Sequence, residues 1–297
     1  MLSFIPVGAI FFIYSIINGI LSIKDIGLSS SFYVFLVLLL LSVGNSIGYM
    51  TLSSIMNFAI YWRSSLLSNT FFVGYALAKQ SHAPSLNGFG YYLMTLSFFH
   101  LSEYVFTALY NAKQVNTDSF LLNHSMEYHL AALASWLEFF IELYFFPALK
   151  ASLVARLLGL ALVLFGETFR KLAMYTAGAN FNHYVQENKQ ANHELVTNGI
   201  YAFVRHPSYF GWFYWSIGTQ ILLANPVCTV AYAVASWKFF NTRIIYEEFY
   251  LRKFFGKKYI DYQKAVSTGI PMITGYSGRE EAVSYTHLRA HETIALI

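Results

Sequence analysis

The chain has 297 residues, of which 56% are hydrophobic and only 11% charged, with a net charge of +4. Soluble domains carry about a quarter charged residues, so this composition excludes an ordinary soluble enzyme and points to an integral membrane protein. Long apolar runs of helical length, without strict alternation, favour an all-α polytopic transmembrane fold over a β-barrel, and an aromatic content of 19% suits interfacial belts and aromatic-lined cavities.

In chain order, 2–23 reads as a first span closed by Lys24-Asp25, and 32–52 as a second. The N-terminus lacks a basic leader and a clear cleavage site, so the first span is expected to be retained. Residues 54–78 make a weaker third segment, interrupted by Arg63 and several serines; 84–90 reads as a turn-rich loop containing Gly88 and Gly90. Spans at 91–110, 126–146 and 153–175 follow, then a hairpin of 210–223 and 227–240 broken at Asn225-Pro226. That gives about eight spans and places both termini on one side of the membrane. Lys and Arg gather in 170–205 and 243–264, which makes that side cytosolic and is a positive-inside signature rather than a nucleic-acid patch. On this topology the sequon Asn123-His124-Ser125 faces the cytosol and goes unused.

The one long polar segment is 178–204, rich in Asn, Gln and His, with a turn signal at Thr197-Asn198-Gly199. From 247 to 262 the last helix is expected to run on as a basic, aromatic, amphipathic stretch in the headgroup plane. Pro271 is expected to end the ordered region, and the chain beyond Gly275 turns polar and patternless. The organisation expected is 1–165 as N-terminal transmembrane helices, 166–273 as a catalytic region with the hairpin, and 274–297 as a disordered or non-native tail. No internal repeat supports the inverted symmetry of transporters.

Four carboxylates, Glu103, Glu138, Glu142 and Glu167, fall inside expected spans. They read either as a proton path or, the favoured reading, as acceptors of interhelical hydrogen bonds. His124, Glu127 and His129 do not share one helical face, and the only cysteine is Cys228, so no metal site and no disulfide framework is expected. Asn87-Gly88-Phe89-Gly90 lacks the third glycine and the βαβ setting of a dinucleotide fingerprint.

The informative stretch is Arg205-His206-Pro207-Ser208-Tyr209-Phe210-Gly211-Trp212. Pro207 suits a first helical turn, and alone the motif is an interfacial cap with a snorkelling arginine. One apolar hairpin later come Arg243, Glu247 and Glu248, returned to the same face. Two cation-plus-acid sets at one rim read as a site for a zwitterionic or cationic ligand.

Those two sets, with Phe255-Gly256 and Tyr259 to Tyr262 beyond them, resemble the isoprenylcysteine carboxyl methyltransferases. Gly166-Glu167, Arg170-Lys171, Ala177-Gly178, Asn180-Phe181-Asn182-His183, His193-Glu194-Leu195-Val196-Thr197 and Gly199-Ile200-Tyr201 carry the likeness further, over 166–273. The His-Pro-x-Tyr-x-Gly part is shared with phospholipid N-methyltransferases and some nicotinamide-dependent sterol reductases; the polar segment before it narrows the choice. The resemblance implies an S-adenosylmethionine pocket formed by Gln186, His193, Glu194, Leu195, Val196 and Tyr201, with His206, Pro207, Ser208, Tyr209 and Glu247. Glu194 would contribute through its backbone. The resemblance also implies that Arg243 holds a substrate carboxylate, assisted by Arg170, and that the product cofactor is S-adenosylhomocysteine. The substrate implied is the prenylated C-terminal cysteine of processed CaaX proteins, at the cytosolic face of the endoplasmic reticulum membrane, with membrane lipid as a further partner and neither nucleic acid nor metal.

The residue types suit that reaction. An α-carboxyl has a pKa of about 3.5, so the nucleophile is ionised and needs no general base. The protein must instead orient it and exclude water, and positioning is worth about 7–11 kcal/mol. An arginine can aim a carboxylate by charge-assisted hydrogen bonds, Glu247 can accept from a ribose or amino group, and Tyr209, Trp215 or Tyr201 can favour a sulfonium by cation–π contact. Two other classes compete. A phospholipid N-methyltransferase would need an amine nucleophile, for which a carboxylate-holding Arg243 is a poor feature. A transporter or channel would suit the buried glutamates but not the concentrated polar end.

Overall fold

The computed structural model describes residues 55–122, 125–191 and 193–278. The expected spans at 2–23 and 32–52, the sequon at Asn123 and the tail beyond Gly278 lie outside the described residues. Among those described, every regular element is helical. They are α1 (Ile55–Ala78), α2 (Asn87–Tyr110), α3 (Met126–Phe145), the short α4 (Pro147–Lys150), α5 (Leu153–Ala177), α6 (Pro207–Leu222), α7 (Pro226–Phe255) and α8 (Lys257–Ala265), with four single 3₁₀ turns between them. Among the described residues no helix is long and apolar enough to cross a membrane by itself. The eight-span count is therefore not established by these helices.

The chain divides into two compact units. Described residues up to 122, with 139–156 and 222–224, form one; 125–138, 157–221 and 225–278 form the other. In the first unit α1 packs against α2. Gly88 and Gly90, expected in a loop, lie inside α2 instead. The reason is packing: a Cβ on Gly90 would stand 2.5 Å from the Gly74 carbonyl of α1, so glycine here serves close helix approach rather than a turn. Tyr104 stacks on Phe120 with centroids 4.2 Å apart in a core with Ile60, Leu67 and Leu101. Lys150 is sealed from solvent, donating to Glu142 (2.6 Å) and to the Leu223 and Ala224 carbonyls (3.2 and 2.9 Å). Glu142 is thus an ion-pair partner.

The second unit carries the chemistry-bearing residues. Glu138 accepts the backbone N–H groups of Val227 and Cys228 at 2.7 and 2.6 Å, satisfying orphan donors in the first turn of α7. Asn225 is fully buried and donates to the Ser135 carbonyl (2.9 Å) and to Gln220 (3.1 Å). α5 and α6 cross backbone to backbone at Gly166 and Gly211, where a Cβ on either would come within 2.4 Å of the other's carbonyl oxygen. α7 does not run on to 262 as expected. It stops at Phe255 because Gly256 adopts φ 54°, and α8 starts afresh at Lys257. Nor does packing end at Pro271: Thr274 and Tyr276, which the sequence reading puts in the tail, bond to Arg205 and Glu248.

Candidate active site

The crossing of α5 and α6 sets the first part of the site. Because two glycines let these backbones touch, Arg170, one turn beyond Gly166, reaches the first turn of α6. Its Nη1 donates to Ser208 Oγ at 2.8 Å, and its guanidinium lies 4.7 Å from the Trp212 ring centroid. Pro207 opens α6, as a residue without an N–H should, and leaves Arg205 and His206 just ahead of the helix.

The return leg, α7, brings two adjacent glutamates that face different partners. Glu247 Oε2 accepts from the Tyr209 hydroxyl at 2.5 Å, and that same hydroxyl accepts from Arg243 Nε at 3.0 Å. Tyr209 therefore joins the two charged side chains on α7 into one relay, and its ring lies 5.6 Å from the Arg243 guanidinium. Arg243 Nη2 donates in turn to the His183 carbonyl at 2.6 Å.

Glu248 is 0% exposed and takes five donors. Oε1 accepts from Arg205 Nε (2.6 Å) and Tyr259 Oη (3.2 Å) and lies 3.0 Å from His206 Nε2. Oε2 accepts from Gln263 (2.8 Å) and the Tyr276 N–H (2.6 Å). Burial by itself raises the Glu248 carboxyl, but the hydrogen bond from His206 and the charge and hydrogen bond of Arg205 outweigh it and hold the group below the ordinary carboxylate range. Arg205 also donates to the Val266 and Thr274 carbonyls, both at 2.6 Å, which fastens the segment after α8.

The polar segment 178–204 lies against α7 and α8. Tyr246 donates to Glu187 (2.6 Å), Lys189 to the Phe254 carbonyl (3.2 Å), and Tyr262 to the Tyr201 carbonyl (2.6 Å). Asn180 Oδ1 accepts the Glu194 N–H at 3.0 Å and so ties the start of the segment to its middle. His193 meets Phe254 and Phe255 edge-on. Burial and then the Lys189 charge hold its imidazole below the usual histidine range, against the pull of Glu247, so it is neutral at pH 7. Its Nδ1 is buried with no hydrogen-bond partner among the described residues. Burial pushes the Tyr201 and Tyr262 phenols up, so both stay protonated.

The structure thus joins Arg243, Tyr209 and Glu247 directly, stacks His206 on Tyr209 (5.6 Å, 8°), and pairs Arg170 with Ser208. Gln186 donates within its own loop to the Tyr184 carbonyl (3.2 Å); Leu195, Val196 and Tyr201 are half-buried, Glu194 is exposed and Pro207 buried. Sequence reasoning did not assign Glu187, Asn180, Gln263 or Tyr276 to the site. Asn180 stood in one of the motifs that carry the resemblance but was given no role, Glu187 and Gln263 were set apart only by their polarity, and Tyr276 by nothing at all. Among the described residues no three His, Cys, Asp or Glu side chains gather to hold a metal ion.

Among the described residues the chain's regular elements are all helical, and paired cations and carboxylates meet on them in a half-buried aromatic setting. The chain is similar to the solved structure of the eukaryotic intramembrane Ras methyltransferase ICMT, with a TM-score of 0.83 and 44% identity over 93% of this chain and 96% of that one. Residues 158–253 match the isoprenylcysteine carboxyl methyltransferase (ICMT) family. Protein-S-isoprenylcysteine O-methyltransferases are 58% identical in Xenopus laevis (63% of this chain, 65% of that one) and 52% identical in Tribolium castaneum (74% and 78%). The human relative is 56% identical over 64% of this chain and 67% of its own. The chain belongs to the isoprenylcysteine carboxyl methyltransferase family; the matched stretch spans just under two thirds of the Xenopus relative.

Proposed function

We propose that this protein methylates the C-terminal carboxylate of prenylated (farnesyl or geranylgeranyl) cysteine on processed CaaX proteins, using S-adenosylmethionine and giving the methyl ester. The observation that carries this reading is the Arg243–Tyr209–Glu247 relay. A guanidinium suited to a carboxylate and a carboxylate suited to ribose or amino donors are held on one helix by one phenol, so two dissimilar ligands can be fixed side by side.

The residues fit S-adenosylmethionine. His193 offers a neutral ring with a buried, unpartnered nitrogen, Glu247 a negative charge, and Tyr209 and Phe240 stacked aromatic faces. When bound, the cofactor supplies an activated methyl group on sulfur. Gln186, His193, Glu194, Leu195, Val196, Tyr201, His206, Pro207, Ser208, Tyr209 and Glu247 would hold it. Arg243 would orient the substrate carboxylate, with Arg170 helping at the same site. The surrounding aromatics thin the water that otherwise weakens a carboxylate nucleophile.

The membrane reading is supported by large apolar side chains left exposed along α3 (Leu130, Leu133, Leu137, Ile141) and α5 (Val154, Leu157, Leu158, Leu164). These faces suit lipid. A polytopic arrangement of about eight spans in the endoplasmic reticulum membrane, with residues 166–273 facing the cytosol as the catalytic region, would open the site to a water-soluble cofactor and to a prenyl tail alike.

The test offers purified full chain in lipid vesicles farnesylcysteine, geranylgeranylcysteine and phosphatidylethanolamine, each with methyl-labelled S-adenosylmethionine. Base-labile methyl ester on the prenylcysteines alone is expected. Label on phosphatidylethanolamine instead would overturn the proposal.

A further inference from the structure

The geometry points to Glu248 as the positioning residue that fixes the tautomer of His206, leaving Nδ1 of that ring as an acceptor for an N–H or O–H donor on the bound ligand. This rests on the placement of His206 at the cofactor. Glu248 is fully buried and its two oxygens already receive Arg205, Tyr259, Gln263 and the Tyr276 N–H. An ionised carboxylate accepts hydrogen bonds and has no proton to give, so the 3.0 Å contact with His206 requires the proton to sit on Nε2. In a neutral imidazole the other nitrogen then carries a bare lone pair. Among the described residues Nδ1 of His206 has no hydrogen-bond partner, and the ring stacks on Tyr209.

Two constraints act together. The carboxylate decides which nitrogen is protonated, and the stack (planes 8° apart) decides which way the ring faces. Glu248 differs in this from its neighbour Glu247, which bonds Tyr209. The amino group and ribose hydroxyls of S-adenosylmethionine are donors of the class that a bare Nδ1 accepts.

The experiment labels the full-length protein with ¹⁵N-histidine in detergent and records two-bond ¹H–¹⁵N correlations, with the His206 signal identified by its loss in His206→Asn. The expected wild-type pattern is the Nε2–H tautomer, with the Nδ1 resonance moving when S-adenosylhomocysteine is added. In Glu248→Gln the amide can donate to Nε2, so the Nδ1–H tautomer should gain population. Affinity for S-adenosylhomocysteine should fall about tenfold, the value of one ordinary hydrogen bond. A role confined to stability would lower the melting temperature and leave the tautomer alone. Tyr259→Phe removes one donor to Glu248 but keeps its charge, and should leave the tautomer unchanged. A wild-type ring protonated at Nδ1, or an Nδ1 resonance indifferent to S-adenosylhomocysteine, overturns the inference even where Glu248→Gln fails to fold. Failure of the wild type to methylate prenylcysteine would count against the proposed reaction, whereas the tautomer is decided by the spectrum.

Discussion

Replacing Tyr209 by Phe removes one oxygen and almost nothing else. The ring stays stacked between His206 and Phe240, with centroids 5.6 and 5.3 Å away, so packing is kept. What is lost is the bond accepted from Arg243 (3.0 Å) and the bond given to Glu247 (2.5 Å). Each involves a charged group, and such bonds contribute about 1.5–3 kcal/mol apiece when both partners are desolvated. Arg243 and Glu247 are only half-buried and Arg243 keeps the His183 carbonyl, so water and that carbonyl recover part of the loss. A net cost of about 2–3 kcal/mol follows, which is about 30- to 160-fold in kcat/KM for methyl transfer to prenylcysteine. The assay is steady-state methylation with both substrates varied, beside a titration of S-adenosylhomocysteine. Since the hydroxyl bridges both ligand-holding groups, KM for the acceptor and affinity for the cofactor product should weaken together. A variant within threefold of wild type in both would refute the relay.

Arg243→Ala should reduce methyl transfer at least a hundredfold, about what loss of a charge-assisted bidentate contact implies, while affinity for S-adenosylhomocysteine changes less than about threefold. Calorimetry on the folded variant decides this, and equal loss of cofactor binding would contradict the assignment. Glu247→Ala should weaken S-adenosylhomocysteine about tenfold or more before it affects the acceptor KM, as the same titration would show. Gly211→Ala should destabilise the protein by about 1–3 kcal/mol, because the added Cβ meets the Gly166 carbonyl at 2.4 Å; a thermal melt unchanged from wild type would count against the crossing. Glu248 has its folded pKa depressed, so its stabilisation is complete above the unfolded value of about 4.3 and is lost as pH falls through the lower folded value. The difference in unfolding stability between wild type and Glu248→Gln should therefore shrink between neutral pH and about pH 3.5.

The sequence by itself determined the all-helical class, the position of most helix ends and the convergence of two polar sets. Pro207 and Pro226 start α6 and α7 because proline lacks the N–H that a first turn leaves unused. With one apolar hairpin between them, the Arg205-His206 and Arg243–Glu248 ends had to return together. Tertiary contacts alone decided the rest. Glu247 and Glu248 are identical residues in adjacent positions, and on a helix they point about 100° apart. Which one met Tyr209 and which was sealed beneath Arg205 and His206 depended on partners some forty residues upstream. The same holds for Gly90, whose role came from Gly74 across a helix pair, and for Tyr276, whose backbone N–H found Glu248. Local propensity reads neighbours along the chain, whereas a buried carboxylate is satisfied by whichever donors the fold carries to it, and two of these, Gln263 and the Tyr276 N–H, left no local signature.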